Sequence, residues 1–158
     1  MTSENEKLKE AVVESIKERA TWLYLLLDEH QKEYGEESKI KEHDFAYRAI
    51  KRFGHIKAEK MGEISTPAQW AEKLITPIGK ITFSQEIIEK DDQKAVVQFY
   101  KCPLVEAWKE LNLSDEEVSL LCKMARTGDF GRVEPFGLNL EFEKLISEGD
   151  DCCRLVIT

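Results

Sequence analysis

The chain has 158 residues, 42% of them hydrophobic and 34% charged. That length and apolar content exclude wholesale disorder and suffice for a core without disulfide or metal staples. With 23 basic against 31 acidic residues the net charge is −8; this excludes a general nucleic-acid backbone binder, which needs surplus lysine and arginine to replace counterions, but not a small anion held by one or two arginines.

Residues 5–34 are predicted to form one long helix. Leu8, Val12, Ile16, Leu23, Leu26, Leu27 and Tyr34 recur near the helical period, Gly35 is the stop, and Glu14, Lys17, Glu18 and Arg19 fall on the exposed side. This helix is expected to cover the sheet, with a homodimer interface through Trp22 and the leucines as the alternative. Its apolar run Trp22–Leu27 is about a third of the ~20 residues of a membrane span. The N-terminus lacks the basic-then-apolar order of a signal peptide. The expectation is a cytoplasmic protein with no membrane association and with mostly reduced cysteines.

A second helix is predicted from about residue 42 to 61, with Phe45, Ala49, Ile50, Phe53 and Ile56 on its apolar face and Gly54 marking a bend or a close packing contact. Thr66-Pro67-Ala68-Gln69 has the capping-box pattern and starts a short helix through Leu74, stopped before Pro77. Residues 81–90 and 94–101 then read as two strands around the turn-like Asp91-Asp92. Cys102-Pro103 opens a helix with Leu104, Ala107, Trp108 and Leu111 on one side, and a second capping box at Ser114–Glu117 starts another with Val118, Leu121, Cys122 and Ala125. Residues 127–137 read as a Gly-punctuated loop, followed by strands near 138–146 and 151–157. The order predicts one α+β domain over 1–158: a mainly helical part (1–79), then a sheet-and-helix part (80–158) whose small antiparallel sheet is built from two hairpins with helices between them.

The cysteines are the candidates for chemistry. Strand alternation turns Cys153 toward the core with Leu155 and Ile157, and puts Cys152 on the side of Arg154. Cys102 precedes Pro103 at a helix start, where unpaired N–H groups favour a thiolate, the form a nucleophile or metal ligand must take. Cys122 lies on the apolar stripe of its helix. Cys102, Cys122 and Cys153 therefore converge if the helix phases and strand alternation cooperate, either as core residues or as a site. Their spacing matches no zinc ribbon, so a zinc ion held by the three is a secondary expectation. His30, His43 and His55 read as surface or capping residues. The segment Thr127-Gly128-Asp129-Phe130-Gly131-Arg132 combines a carboxylate, a guanidinium and two glycines that let backbone approach a ligand. Phosphate-binding, dinucleotide-binding, serine-elbow and paired-His zinc motifs are absent from the sequence.

Three features in this order, Cys102-Pro103-Leu104-Val105-Glu106-Ala107-Trp108, then Leu121-Cys122 followed by Asp129, then Gly149-Asp150-Asp151-Cys152-Cys153-Arg154-Leu155, resemble the L-2-amino-thiazoline-4-carboxylic acid hydrolase family. The closing strand is also similar to vinyl-4-reductase-type small-molecule-binding domains. The resemblance covers roughly residues 95–157. It implies hydrolytic ring opening of a cyclic amidine, 2-aminothiazoline-4-carboxylate, to N-carbamoyl-cysteine. In that chemistry Cys102, or second Cys153, is the candidate nucleophile. Asp129 protonates the ring nitrogen or orients water, Arg132 or Arg154 pairs with the carboxylate, and Trp108 is a substrate-binding candidate. A metal held by Cys102, Cys122 and Cys153 is the alternative means of activating water. The competing function is a non-catalytic sensor domain that binds a small molecule or metal.

Overall fold

Residues 3–158 are described by a computed structural model. The first helix, α1 (Glu4–Tyr34), is closed at its start by a reciprocal capping box between Ser3 and Glu6. It is followed by α2 (Phe45–Glu59), α3 (Pro67–Leu74), α4 (Pro77–Thr82), β1 (Gln85–Lys90), β2 (Ala95–Phe99), α5 (Pro103–Glu110), α6 (Asp115–Ala125), α7 (Thr127–Val133), β3 (Leu140–Lys144) and β4 (Cys153–Ile157). The strands form one antiparallel sheet in the order β1-β2-β4-β3, two hairpins joined through β2 and β4 with three helices between them in sequence. The fold is α+β.

Two elements differ from expectation. Residues 81 and 82, expected to start a strand, instead end helix α4, which forms because Thr76 Oγ1 accepts from Gly79 N at 3.0 Å and Pro77 occupies the first turn. The strand begins only at Gln85, after Ser84 at φ +48°. The Gly-punctuated segment after residue 126 is likewise a helix, α7, running into a short 3-10 turn at Glu134–Phe136. Its Gly128 and Gly131 let backbone approach another helix, not a ligand: they lie against Ile50, Lys51 and Gly54 of α2.

That contact also explains which face α2 buries. Ala46, Gly54 and Ala58 are inward, and the bulky Phe45, Phe53 and Ile56, expected in the core, are exposed. Small residues win the buried side because α7 comes to backbone distance. A similar shift occurs on α1. Its packed stripe is Ala20, Leu23, Tyr24 and Leu27, whereas Trp22 (71% exposed) and Leu26 (68%) point outward. The helix lies on α5, not on the sheet, with Trp108 Nε1 donating to the Ala20 carbonyl at 2.9 Å.

Two apolar cores result. One joins the inner face of the sheet (Ala95, Val97, Cys153, Leu155, Ile157) to Trp70, Ala71 and Leu74 of α3 and to Val133 of α7. The other joins α1 to α5 and α6 through Ala20, Leu27, Val105, Trp108, Val118 and Leu121. Cys122 and Ile146 pack against both, so the candidate site lies on the seam between the cores. Among the described residues no helix is long and apolar enough to cross a membrane.

Candidate functional site

Three thiols reach this seam from three elements. Cys102 is the N-cap residue of α5, extended at φ −139°, ψ 96° and half-buried against the helical core. Cys122 comes from α6. Cys153 comes from β4, where alternation buries it with Leu155 and Ile157 as the sequence indicates. The three are near enough that charge on Cys153 or Cys122 is felt at Cys102, and charge on Cys122 at Cys153.

Their protonation differs from the expectation for a helix start. Burial pushes the Cys102 thiol up to about 12, although the N–H groups of Val105 and Leu104 pull the other way. Those N–H groups face the sulfur without making a cap hydrogen bond. Loss of solvation outweighs the helix terminus, so Cys102 carries its proton at neutral pH, and the expected thiolate is not the resting form. Burial likewise takes Cys153 up to about 11, against the stabilising Ile146 N–H, which donates to its Sγ at 3.4 Å. Cys122 is raised by burial too, with the Ser147 hydroxyl opposing. That hydroxyl is buried and faces Cys122 without hydrogen-bond geometry, which leaves its oxygen unpartnered.

The polar wall of the site is α7. Trp70 Nε1 donates to the Arg132 carbonyl at 3.2 Å and the α2 glycine contact fixes the opposite side of the helix, so Asp129 and Arg132, one turn apart, are held in place. Asp129 is half-buried. Burial raises its carboxyl above the usual carboxylate range, while Arg132 and Arg19 favour the charged form more weakly. Charge on Asp129 is felt at Cys122 and Cys153. Arg132 has its Nε buried with no partner.

Arg19 is the residue that sequence reasoning assigned elsewhere. It lies on the exposed side of α1 as expected; partial desolvation lowers its pKa, with Arg132 acting in the same direction and Asp129 and Cys102 in the opposite one. The sequence signal is its position immediately before Ala20, whose carbonyl accepts from Trp108 of α5.

Other candidates lie elsewhere. Arg154 faces away from Cys153 across β4 and its Nε is paired with Glu143 Oε2 at 2.8 Å. Trp108 is 1% exposed and commits its N–H to Ala20, so it offers packing rather than a surface for substrate. Cys152 is buried outside both cores, with Asp151 and Lys144 as its charged neighbours. His30 meets Ser38 at 2.7 Å and His55 meets Glu134 at 2.8 Å, which are capping and surface contacts. Among the described residues no group of three or more His, Cys, Asp or Glu side chains is placed to hold a metal ion. Cys102, Cys122 and Cys153 share a neighbourhood but lack the convergence of a zinc site, so zinc does not fit them. A cleft of about 580 Å³ opens away from the thiols, lined by Ile75, Lys80, Ser84, Gln85, Ile87 and Tyr100 among others. No thiol lines it, so the seam is the better chemical candidate.

A family model described as L-2-amino-thiazoline-4-carboxylic acid hydrolase matches residues 14–157, from within α1 through β4. No curated protein matches the chain in sequence. Among solved structures, the chain is similar to a trafficking protein particle complex subunit 3 from Naegleria fowleri, described as covalently bound to palmitic acid. The identity is 16% and the TM-score 0.49, over 90% of this chain and 93% of that one.

Proposed function

The chain belongs to the L-2-amino-thiazoline-4-carboxylic acid hydrolase family, and from that premise we propose that it hydrolyses a small cyclic amidine, opening 2-aminothiazoline-4-carboxylate or a close analogue to N-carbamoyl-cysteine. What supports this reading is that Cys102, Cys122 and Cys153 come from separate elements into one neighbourhood, where charge on Asp129 is felt at Cys122 and Cys153.

In the proposed reaction Cys102 Sγ bonds to the ring C2 as the C2=N electron pair moves onto nitrogen. Asp129, kept toward its neutral form by burial, gives that nitrogen a proton and is reprotonated by the one Cys102 loses. The C2–S bond of the ring then breaks, its sulfur leaves as a thiol with a proton from nitrogen, and an isothiourea remains on Cys102. Water adds to that carbon, the Cys102 thiol departs with a proton, and the urea carbonyl forms. Arg132 holds the substrate carboxylate. Cys153, close by and also protonated, is the second candidate nucleophile.

The test is incubation of the purified protein with L-2-amino-thiazoline-4-carboxylate, following thiol release and N-carbamoyl-cysteine by mass spectrometry. Cys102→Ser should abolish turnover and keep the fold; full activity in that variant would transfer the role to Cys153. The high proton affinity of all three thiols favours a second reading, a non-catalytic domain that binds a small molecule at the same seam. Saturable binding of the thiazoline with no product would select it.

A further inference from the structure

In the sheet order β1-β2-β4-β3 the strand β1 has a neighbour on one side only. The ladder decides which of its backbone groups are free. Across the turn Asp91 N–H donates to the Lys94 carbonyl at 2.8 Å, and at the other end Tyr100 N–H donates to the Ser84 carbonyl at 3.4 Å. The even-numbered residues of β2 therefore bond to β1. Glu86, opposite Gln98, commits its N–H and carbonyl to the ladder, and alternation turns those of Gln85 and Ile87 outward. Among the described residues no backbone hydrogen bond reaches these two from another element. The rest of the edge is blunted: the ladder bulges between Ile87 and Glu89, Glu89 pairs with Lys94, and Lys90 pairs with Glu72 of α3. The open stretch borders the cleft of about 580 Å³, which Ser84, Gln85, Glu86 and Ile87 all line. Consecutive strand residues alternate between two faces, so a space that touches all four runs along the edge.

We propose that this edge takes an extended peptide segment as a further strand of the sheet, with an apolar side chain on the Ile75–Ile87 side and a carboxylate at Lys80. The free N–H and carbonyl groups of Gln85 and Ile87 recognise backbone, which is what strand addition requires. Ile75 and Ile87 pack on the sheet core and form the inner wall of the cleft. Lys80 of α4 lines the same cleft and, among the described residues, has no carboxylate within ion-pair distance. An acidic residue or the terminal carboxylate of the peptide completes it. Glu86, the cleft's own carboxylate, belongs to the outer face, where the Tyr100 hydroxyl meets Glu86 Oε2 at 3.2 Å and Gln98 Oε1 at 2.6 Å. Charge selection therefore falls to Lys80. No thiol lines the cleft, so this interaction stands independently of hydrolysis at the seam.

The probe is a fluorescein-labelled hexapeptide of alternating threonine and valine that ends in glutamate, compared with the same peptide ending in lysine; binding to the full chain is read by fluorescence anisotropy. The wild type should favour the acidic peptide by about two- to fivefold, the scale of one exposed charge pair. Lys80→Glu should reverse that order and leave thermal stability at the wild-type value, because Lys80 is exposed. N-methylation of one alternate set of peptide amides should abolish binding and of the other set should leave it intact, since only one set faces β1. With peptide bound, amide exchange followed by NMR should slow at Gln85 and Ile87 and stay unchanged at Glu86. Failure of both peptides to bind at millimolar concentration, equal sensitivity to the two methylation sets, or protection confined to other strands overturns the proposal. Exchange at Gln85 and Ile87 that slows with rising protein concentration in the absence of peptide assigns the edge to a second copy of the chain, and overturns it as well.

Discussion

Gly54 of α2 and Gly128 of α7 touch through their backbones: a Cβ on Gly54 would stand 2.1 Å from the Gly128 carbonyl oxygen, and one on Gly131 would stand 2.1 Å from the Lys51 carbonyl oxygen. Neither obstacle is a side chain that can rotate away, so an added methyl group must push the helices apart. Gly54→Ala and Gly131→Ala should each destabilise the protein by about 1–3 kcal/mol or more, and should lower turnover because Asp129 and Arg132 ride on α7. At Gly128 a Cβ would meet only Ile50, its side chain at 3.4 Å and its carbonyl oxygen at 3.6 Å, both ordinary contacts. Gly128→Ala should be neutral or slightly stabilising, since alanine favours a helix over glycine by about 1 kcal/mol. Urea denaturation of the three variants separates the cases; equal losses would mean that close packing is not the reason for these glycines.

The proton on Cys102 gives a kinetic prediction. With its thiol pushed up to about 12 by burial, the reactive thiolate is a minute fraction at neutral pH and grows about tenfold per pH unit. Alkylation of Cys102 by iodoacetamide, read at the peptide level by mass spectrometry, should climb steadily from pH 7 to 10 without levelling. A plateau below pH 9 would show that the helix start, not burial, sets this thiol.

These residues also mark where sequence reasoning reaches and where it stops. The caps at Thr66 and Ser114 are local devices, and both helices start where their hydroxyls accept from N3. Cys153 turns inward because strand alternation has no freedom once one face is buried. The helix α7 was hidden because two glycines argue against a helix locally, and only the partner helix supplies the contact that compensates. The same contact inverted α2, where periodicity selected Phe45, Phe53 and Ile56 and close approach selected Ala46, Gly54 and Ala58. Arg19 was placed correctly on the exposed side, but helical phase does not report which charges from other helices act on it. The protonation of Cys102 was misjudged for a related reason: a helix start is visible in sequence, and the depth of burial that outweighs it is a tertiary quantity.

Trp108 offers a test that separates packing from binding. Its ring fills the core between α1, α5 and α6, and its N–H satisfies the Ala20 carbonyl. Trp108→Phe keeps most of the ring and strands that carbonyl, which should cost about 1–3 kcal/mol. KM for the thiazoline should stay at the wild-type value. A raised KM with unchanged thermal stability would return Trp108 to the substrate site.

Asp129 should reveal itself through pH. Burial raises its carboxyl above the ordinary value, so the folded protein holds this proton more tightly than the unfolded chain. The stability that this group contributes is therefore fully present below the unfolded value of about 3.9, and is lost as pH rises through the higher folded value. Above that window the folded state carries a poorly solvated carboxylate. Asp129→Asn replaces it with a neutral group of the same shape, and should raise stability at pH 7 by about 0.5–2 kcal/mol, the usual scale of a single relieving change. The gain should shrink toward zero near pH 4, where the wild-type residue is itself neutral. Turnover should fall at least about 100-fold, the usual contribution of a positioned acid. Melting curves of both proteins at pH 4, 5.5 and 7, taken with initial rates, check this. A variant less stable than wild type at pH 7 would mean that the charged form is the one its surroundings favour, and Asp129 would then be a partner of Arg132 and Arg19, unable to donate a proton to substrate.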